Sequence, residues 1–320
     1  MVKLSEAIVE QARMSYRRVI RRILGRSLTF KLRNLISEVS YRMGFIPPAT
    51  SVDKKEGISA MVCTMNEKEW VEPSILSVKD LVDEYVVIDS STDSTPQIIE
   101  NLTKEHGLNL KMERIPAGDM VKARTLALKL AEYKWILCWD ADFIAKEEMP
   151  KHLRNLIEEL DPKRYYLVYW PHICLDRDLF HQNPKAKLHI EHWLFTYSPK
   201  LRYIRIKHFE VLVAPITYYK TIYIDKPLSF HLRTVKDPVR VLYRYLRSAM
   251  IKEGLEGKIS FEEYVKIKIR EVYGTSDIKE AANIHLKERT KFLNKYDKTV
   301  FGDYPRILKE YVKKKYGINL

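Results

Sequence analysis

Asp140 and Asp142 close the apolar run Trp135-Ile136-Leu137-Cys138-Trp139, with a single alanine between them. Such an unbroken run reads as a strand covered on both faces. In an extended chain, residues two apart point to the same side, about 7 Å apart at Cα. Both carboxylates are therefore expected to face one small volume and to share a positive charge there. Hard carboxylate oxygens suit Mg2+ or Mn2+, which take one or two carboxylates together with substrate phosphates. The same two aspartates could instead cap the helix that follows.

A second polar strand end has comparable chemistry. Asp89 follows the apolar run ending at Ile88 and opens Asp89-Ser90-Ser91-Thr92-Asp93-Ser94-Thr95, ahead of a helix begun by Thr95 and Pro96. A loop so rich in short acceptors could hold a nucleoside, with Asp89 accepting a base N–H or a ribose hydroxyl, or it could be a well-capped loop. Arg124, in Lys122-Ala123-Arg124-Thr125-Leu126 ahead of the Trp135 strand, could neutralise a pyrophosphate or pair with Asp140.

The elements that must position these groups alternate. Ile58 to Cys63 reads as a strand entering the polar Thr64-Met65-Asn66-Glu67, followed by a helix over Glu72 to Asp83. A strand over Tyr85 to Ile88, a helix from Pro96, a short strand in Leu110 to Pro116, a helix over Val121 to Ala131 and a strand over Lys134 to Trp139 complete the series. Strands alternating with helices imply an α/β domain with a mainly parallel sheet, whose ligands bind beyond the carboxyl ends of the strands. The polar residues after Cys63, Ile88 and Trp139 all fall there.

The 320 residues, 46% hydrophobic, suffice for one large domain or two ordinary ones. No apolar stretch approaches the roughly 18 residues of a spanning helix, and no signal-peptide core is present, so a cytoplasmic location is expected. Cys63, Cys138 and Cys174 lie scattered in apolar runs and read as reduced core residues. The net charge of +14 implies an anionic partner. Residues 1–44 carry ten Lys and Arg against three Glu, half of that excess.

In this segment Ile8, Val9, Ala12, Tyr16, Val19, Ile20, Ile23 and Leu24 recur at helical spacing, and a second helix is expected over Leu28 to Met43. Its helices could lie on an anionic membrane with Arg13, Arg17, Arg18, Arg21 and Arg22 at the headgroups, or pack on the rest of the chain. Phe45 to Gly57, with two prolines, reads as a linker. The expected division is a basic helical segment with its linker over 1–57, a catalytic domain over 58–235 and a basic helical region over 236–320.

In order, Thr64-Met65-Asn66-Glu67, Val86 to Thr95, Lys122 to Ala131 and Trp139-Asp140-Ala141-Asp142 resemble the family 2 glycosyltransferases, which have the GT-A fold. The resemblance is close over about Ile58 to Glu148. It implies a Rossmann-like, mixed, mainly parallel sheet flanked by helices, here with N- and C-terminal helical extensions. It implies a nucleotide-diphosphate sugar donor, an acceptor hydroxyl on a saccharide or a lipid carrier, and transfer with inversion.

By that resemblance Asp89 contacts the base, while Thr64, Glu67, Asp93 and Asp140 lie on the nucleoside side of the pocket. Asp142 holds Mn2+ or Mg2+ against the two phosphates, with Asp140 beside it and His231 as a further ligand. Arg124 adds positive charge for the departing diphosphate. Glu210 is the expected base; Phe209 interrupts the family's usual His-Glu pair, so His208 stays open as the alternative.

Two other classes compete. A nucleotidyltransferase acting on a sugar phosphate would need a Gly-rich, Lys-containing phosphate loop, and Thr-Met-Asn-Glu-Lys-Glu-Trp stands in its place after the first strand. A nucleic-acid-binding protein would account for the charge but has no need of Asp89, Asp140 and Asp142 together; no nucleic acid is expected as a partner. Peripheral contact with the inner face of a membrane remains compatible with the basic N-terminal segment.

Overall fold

The computed structural model describes residues 28–116, 118–182, 189–206, 209–215, 217–255 and 257–320. The expectations for the helix before residue 25 and for Arg13 to Arg22 fall outside these residues, as does His208.

A helix over residues 28–42 (α1) leads through a short 3-10 turn, Ala49–Ser51, into β1 (Lys55–Thr64). Then follow α2 (Val71–Ser77), β2 (Glu84–Asp89), α3 (Thr95–His106), β3 (Leu110–Arg114), α4 (Met120–Leu130) and β4 (Tyr133–Asp140). This is the alternation that the apolar runs imply. β1 pairs in parallel with β2 and β4, and β2 with β3. The register sets Thr64 opposite Asp89 and Cys63 opposite Asp140, so the polar strand ends share one edge of the sheet.

β1 begins a little before the expected boundary at residue 57, and its register shifts between Lys55 and Ile58. Gly57 sits in that shift at φ 137°, where an added Cβ would come within 2.5 Å of Tyr133 Cδ1, so only glycine lets β1 approach β4 there.

Beyond β4 the chain forms β5 (Phe143–Ala145), α5 (Glu148–Glu159), β6 (Tyr165–Cys174), β7 (His181–Gln182), β8 (His189–Thr196), β9 (Arg202–Ile206), β10 (Phe209–Val213), β11 (Tyr219–Tyr223) and β12 (Ser229–His231). The main sheet runs β3-β2-β1-β4-β8-β6-β12-β5, with β11 also on β6. β8 is antiparallel to β4 and β6, so the sheet is mixed, as the GT-A fold requires. β9 and β10 form a separate antiparallel ribbon.

The C-terminal region supplies α6 (Pro238–Lys252), α7 (Phe261–Tyr273), α8 (Ile278–Thr290), β13 (Asn294–Lys295), α9 (Lys298–Phe301) and α10 (Arg306–Tyr316). Leu242, Leu246, Tyr264, Ile269 and Ala281 join α6, α7 and α8 in a cluster of their own. α10 instead closes on the sheet, where Leu308 and Tyr311 bury against Trp70, Ile144 and Phe230.

α1 is equally tied in. Asn34 exchanges hydrogen bonds with the Thr221 backbone, at 2.9 Å to its carbonyl and 2.6 Å from its amide, and Glu38 meets Lys220 at 2.7 Å and Arg164 at 3.3 Å. Both extensions therefore share packing with the sheet.

Candidate functional site

The aligned ends of β1 and β2 form a tight polar corner. Thr64 Oγ1 donates to Asp89 Oδ1 at 2.6 Å, the Ser91 amide donates to Asp89 Oδ2 at 3.2 Å, and Arg114 Nε lies 3.3 Å from the same oxygen. Asp89 is fully buried. A carboxylate offers about four acceptor positions, so this one still has capacity for a ligand N–H or O–H.

The loop after β2 is organised by Asn66, a residue that sequence reasoning passed over. It adopts φ 58°, a left-handed conformation that Asn tolerates better than most side chains. From there its Oδ1 accepts from the Thr92 and Asp93 amides at 2.7 and 3.2 Å. Asp93 turns to α3, accepting from the Thr95 amide at 2.9 Å, and the Thr95 hydroxyl accepts from the Glu67 amide at 2.8 Å. Thus Thr64, Glu67, Asp89 and Asp93 come together, with Asp93 tied to Thr95, the first residue of α3.

At β4 the structure corrects the expectation of a shared volume. The strand ends at Asp140 and the chain turns at residues 141–142, so the extended geometry stops one residue too early. Asp140 Oδ1 accepts from Arg124 Nη2, so one arm of that guanidinium is held in an ion pair. Arg124 is 4% exposed, and its Nη1 has no hydrogen-bond partner among the described residues.

Asp142 lies 6% exposed in a different set. Lys236 Nζ donates to its Oδ2 at 2.7 Å, and His231 Nε2 is 3.6 Å from its Oδ1. The same ammonium reaches Glu67 Oε1 at 2.8 Å, where Arg240 Nη2 also donates at 2.6 Å; Arg240 Nη1 reaches Glu69 at 3.0 Å. Burial pushes the Asp142 carboxyl up, but Lys236 and His231 outweigh it and hold it well below the usual carboxylate range. Burial, joined by the Asp142 charge, raises Glu67 against the pull of Lys236 and Arg240. Burial opposes protonation of His231, yet Asp142 beside it lifts its pKa to about 9.

Two of the three expected metal ligands, Asp142 and His231, therefore stand together, and Asp140 is committed elsewhere. Among the described residues no group of three His, Cys, Asp or Glu side chains is arranged to hold a metal. In donor chemistry Asp142 and His231 still fit Mn2+ or Mg2+, a hard oxygen beside an imidazole that must lose its proton to bind.

Glu210 lies on β10 opposite Arg205 of β9, and Arg205 is tied to Asp119 at the start of α4 at 3.2 Å. The Cys63 thiol, pushed up first by burial, is raised further by Asp140 and Glu210 and lowered by Arg124.

Residues 59–223, just over half of the 320, match glycosyl transferase family 2. The chain belongs to that family. An uncharacterized glycosyltransferase of Rickettsia felis is 39% identical over 104 residues, which are 32% of this chain and 33% of the relative. A poly-beta-1,6-N-acetyl-D-glucosamine synthase of Staphylococcus epidermidis is 32% identical over 104 residues, 31% of this chain and 24% of the synthase. The chain thus spans about a third or less of the length of these family members.

Among solved structures, the mannosyltransferase PcManGT from Pyrobaculum calidifontis in complex with GDP-Man and Mn2+ aligns at 15% identity over 85% of this chain and 89% of its own, with a TM-score of 0.39. S. aureus TarS 1-349 in complex with UDP-GlcNAc aligns at 19% identity over 66% and 70%, with a TM-score of 0.38.

Lys236 and Arg240 are what sequence reasoning missed in this family 2 chain. The signal was Asp237-Pro238, a helix start. Asp237 Oδ1 accepts from the Val239 and Arg240 amides at 3.0 and 3.1 Å, so the cations on either side of the cap are fixed where α6 meets the sheet edge. The expected domain boundary at residue 235 passes through this site.

Proposed function

We propose that the chain is an inverting glycosyltransferase that moves a sugar from a nucleotide-diphosphate donor to an acceptor hydroxyl. The observation that carries the reading is the gathering of Thr64, Asp89 and Asp140 at the ends of β1, β2 and β4, with Asp142 in the turn that follows, all within the segment that matches the family. Asp89 receives a base or ribose donor, and Thr64 holds its carboxylate in place. The unpartnered Nη1 of Arg124 is a buried donor aimed from the same edge, of the kind that a ligand oxygen satisfies.

In transfer, the acceptor oxygen attacks the anomeric carbon as Glu210 takes its proton. The carbon–oxygen bond to the diphosphate breaks, and the diphosphate leaves with the electron pair. A single displacement with one base gives inversion. Asp142 and His231 are the groups that would hold a divalent cation, which would supply positive charge to the leaving diphosphate.

A thermal-shift screen of nucleoside diphosphates and their sugars, with and without Mn2+ or Mg2+, tests the donor assignment, since a ligand bound only by the native state raises the melting temperature. A donor sugar that stabilises the protein and is consumed with an acceptor supports it. No shift with any nucleotide sinks it.

We also propose peripheral contact with anionic membrane through α1. Its inner face is docked by Asn34 and Glu38, while Leu28, Leu32, Leu35, Val39 and Met43, spaced four, three, four and four apart, are 42–61% exposed. The exposed Lys31 and Arg42 flank this apolar stripe, Arg42 paired at 2.8 Å with Glu38, which also meets Lys220 and Arg164. An apolar stripe edged with cations suits anionic headgroups.

No described helix is long and apolar enough to cross a membrane. Sedimentation with phosphatidylglycerol vesicles at low salt, weakened in a Leu32→Glu, Leu35→Glu double variant with unchanged melting temperature, is the expected result. Equal sedimentation of both proteins would overturn it.

A further inference from the structure

The strand-end site already contains a cation that the chain supplies. Lys236 Nζ sits 2.8 Å from Glu67 Oε1 and 2.7 Å from Asp142 Oδ2, and its side chain is only 3% exposed. An ammonium is a compact, strongly hydrated point charge with three donors. Desolvating it is costly and is compensated here by two carboxylates, one from the loop after β1 and one from the turn after β4.

The three carboxylates of Glu67, Glu69 and Asp142 here face the Lys236 ammonium and the Arg240 guanidinium, with His231 beside Asp142. A divalent ion brought to Asp142 with Lys236 in place would meet an ammonium already bound to the same carboxylate. Like charges so close, in a site shielded from water, repel strongly. Without the ammonium, Asp142 Oδ2 and the Glu67 carboxylate, which Arg240 still holds, would turn oxygens to one buried spot, the donor type that hard divalent cations take.

We propose that Lys236 is the resident cation of this site: it supplies positive charge to the diphosphate side of the pocket when no metal is bound, and a divalent ion reaches Asp142 only by displacing it. The role toward diphosphate rests on the donor reading above; the competition with metal does not. Lys236 thereby tunes how strongly the enzyme depends on metal, and nothing in the Asp140-Ala141-Asp142 sequence signals it.

The test is Mn2+ binding to the full chain, read from the electron paramagnetic resonance signal of free Mn2+, for wild type, Lys236→Gln and Lys236→Arg. Gln keeps most of the volume and removes the charge; Arg keeps the charge. Mn2+ affinity should rise about tenfold or more in Lys236→Gln, within the roughly 5–150-fold range of site couplings, and stay near wild type in Lys236→Arg. Equal affinity in wild type and Lys236→Gln, including no binding by either, overturns the proposal.

If Lys236→Gln is unstable without metal, melting curves decide. Mn2+ that restores the variant while leaving wild type unmoved supports competition, and equal shifts in both overturn it. Uridine and guanosine diphosphate titrated in EDTA complete the set. Binding by wild type that is lost in Lys236→Gln and recovered with Mn2+ supports the role toward diphosphate, and binding that needs Mn2+ in both proteins overturns it. Failure of every nucleotide to bind any of the proteins would refute the donor reading and leave the Mn2+ comparison to judge Lys236.

Discussion

The edge where β1, β2 and β4 end and the β9–β10 ribbon that carries Glu210 hold their candidate groups in different ways. On the first, Asp89 and Asp142 are buried, and each is engaged by groups from at least two other segments. On the second, Glu210 is half-buried on a two-stranded ribbon, anchored near α4 by an Arg205–Asp119 pair that is more than half exposed. Exposed pairs of this kind contribute little to stability. Groups on the edge are therefore pre-set before a ligand arrives, and altering them should cost stability and binding together. Changes on the ribbon should cost rate alone.

The sharpest test of that contrast is Asp142→Asn. Loss of the carboxylate leaves Lys236 and His231 without their counter-charge, and breaking a buried ion pair in this way costs about 3–5 kcal/mol. Transfer activity should vanish and the urea midpoint should fall. Wild-type stability with full turnover would show that the buried cluster is neither structural nor functional.

Glu210→Gln comes next. It should lower transfer by about 10²–10⁴-fold, the usual contribution of a general base, with donor affinity and melting temperature unchanged. A large loss in His208→Ala with little in Glu210→Gln would move the base to His208.

Asp89→Ala should raise the donor KM by about 10–100-fold, corresponding to charged hydrogen bonds of roughly 1.5–3 kcal/mol. Turnover at saturating donor should stay close to wild type, because a nucleoside contact is made in ground and transition states alike. An unchanged KM would remove Asp89 from the donor pocket.

The smallest effect lies away from both regions and serves as their control. His285 is buried between α6 and α8 beside Tyr273, and burial, helped by Arg289, pushes its pKa from 6.5 to about 4. A depressed histidine favours the fold only while neutral. Its contribution is complete above the unfolded pKa of 6.5 and is lost as pH falls from there towards about 4. The melting temperature should drop across that window, less so in His285→Gln, and an identical pH profile in both proteins would contradict the assignment.

Several features were legible from residue order because they are local. An apolar run specifies a strand covered on both faces, and parallel strands in register bring their carboxyl ends to one edge. Thr64, Asp89 and Asp140 could thus be placed together before any coordinates, and the observed register does so. Thr95-Pro96 likewise marked the start of α3, which runs from Thr95 to His106.

Tertiary structure alone decided the partners of the charges. Residue order offered Arg124 either a diphosphate or Asp140, and packing joins one arm of its guanidinium to Asp140. It set both aspartates of Asp140-Ala141-Asp142 on one volume, and a turn at 141–142 sent Asp142 instead to Lys236, 94 positions further along the chain. Hydrophobic periodicity records which face of an element leaves water. Which distant ammonium or imidazole compensates a buried carboxylate depends on the desolvation and distances that exist only once β12 and α6 have closed over the strand ends.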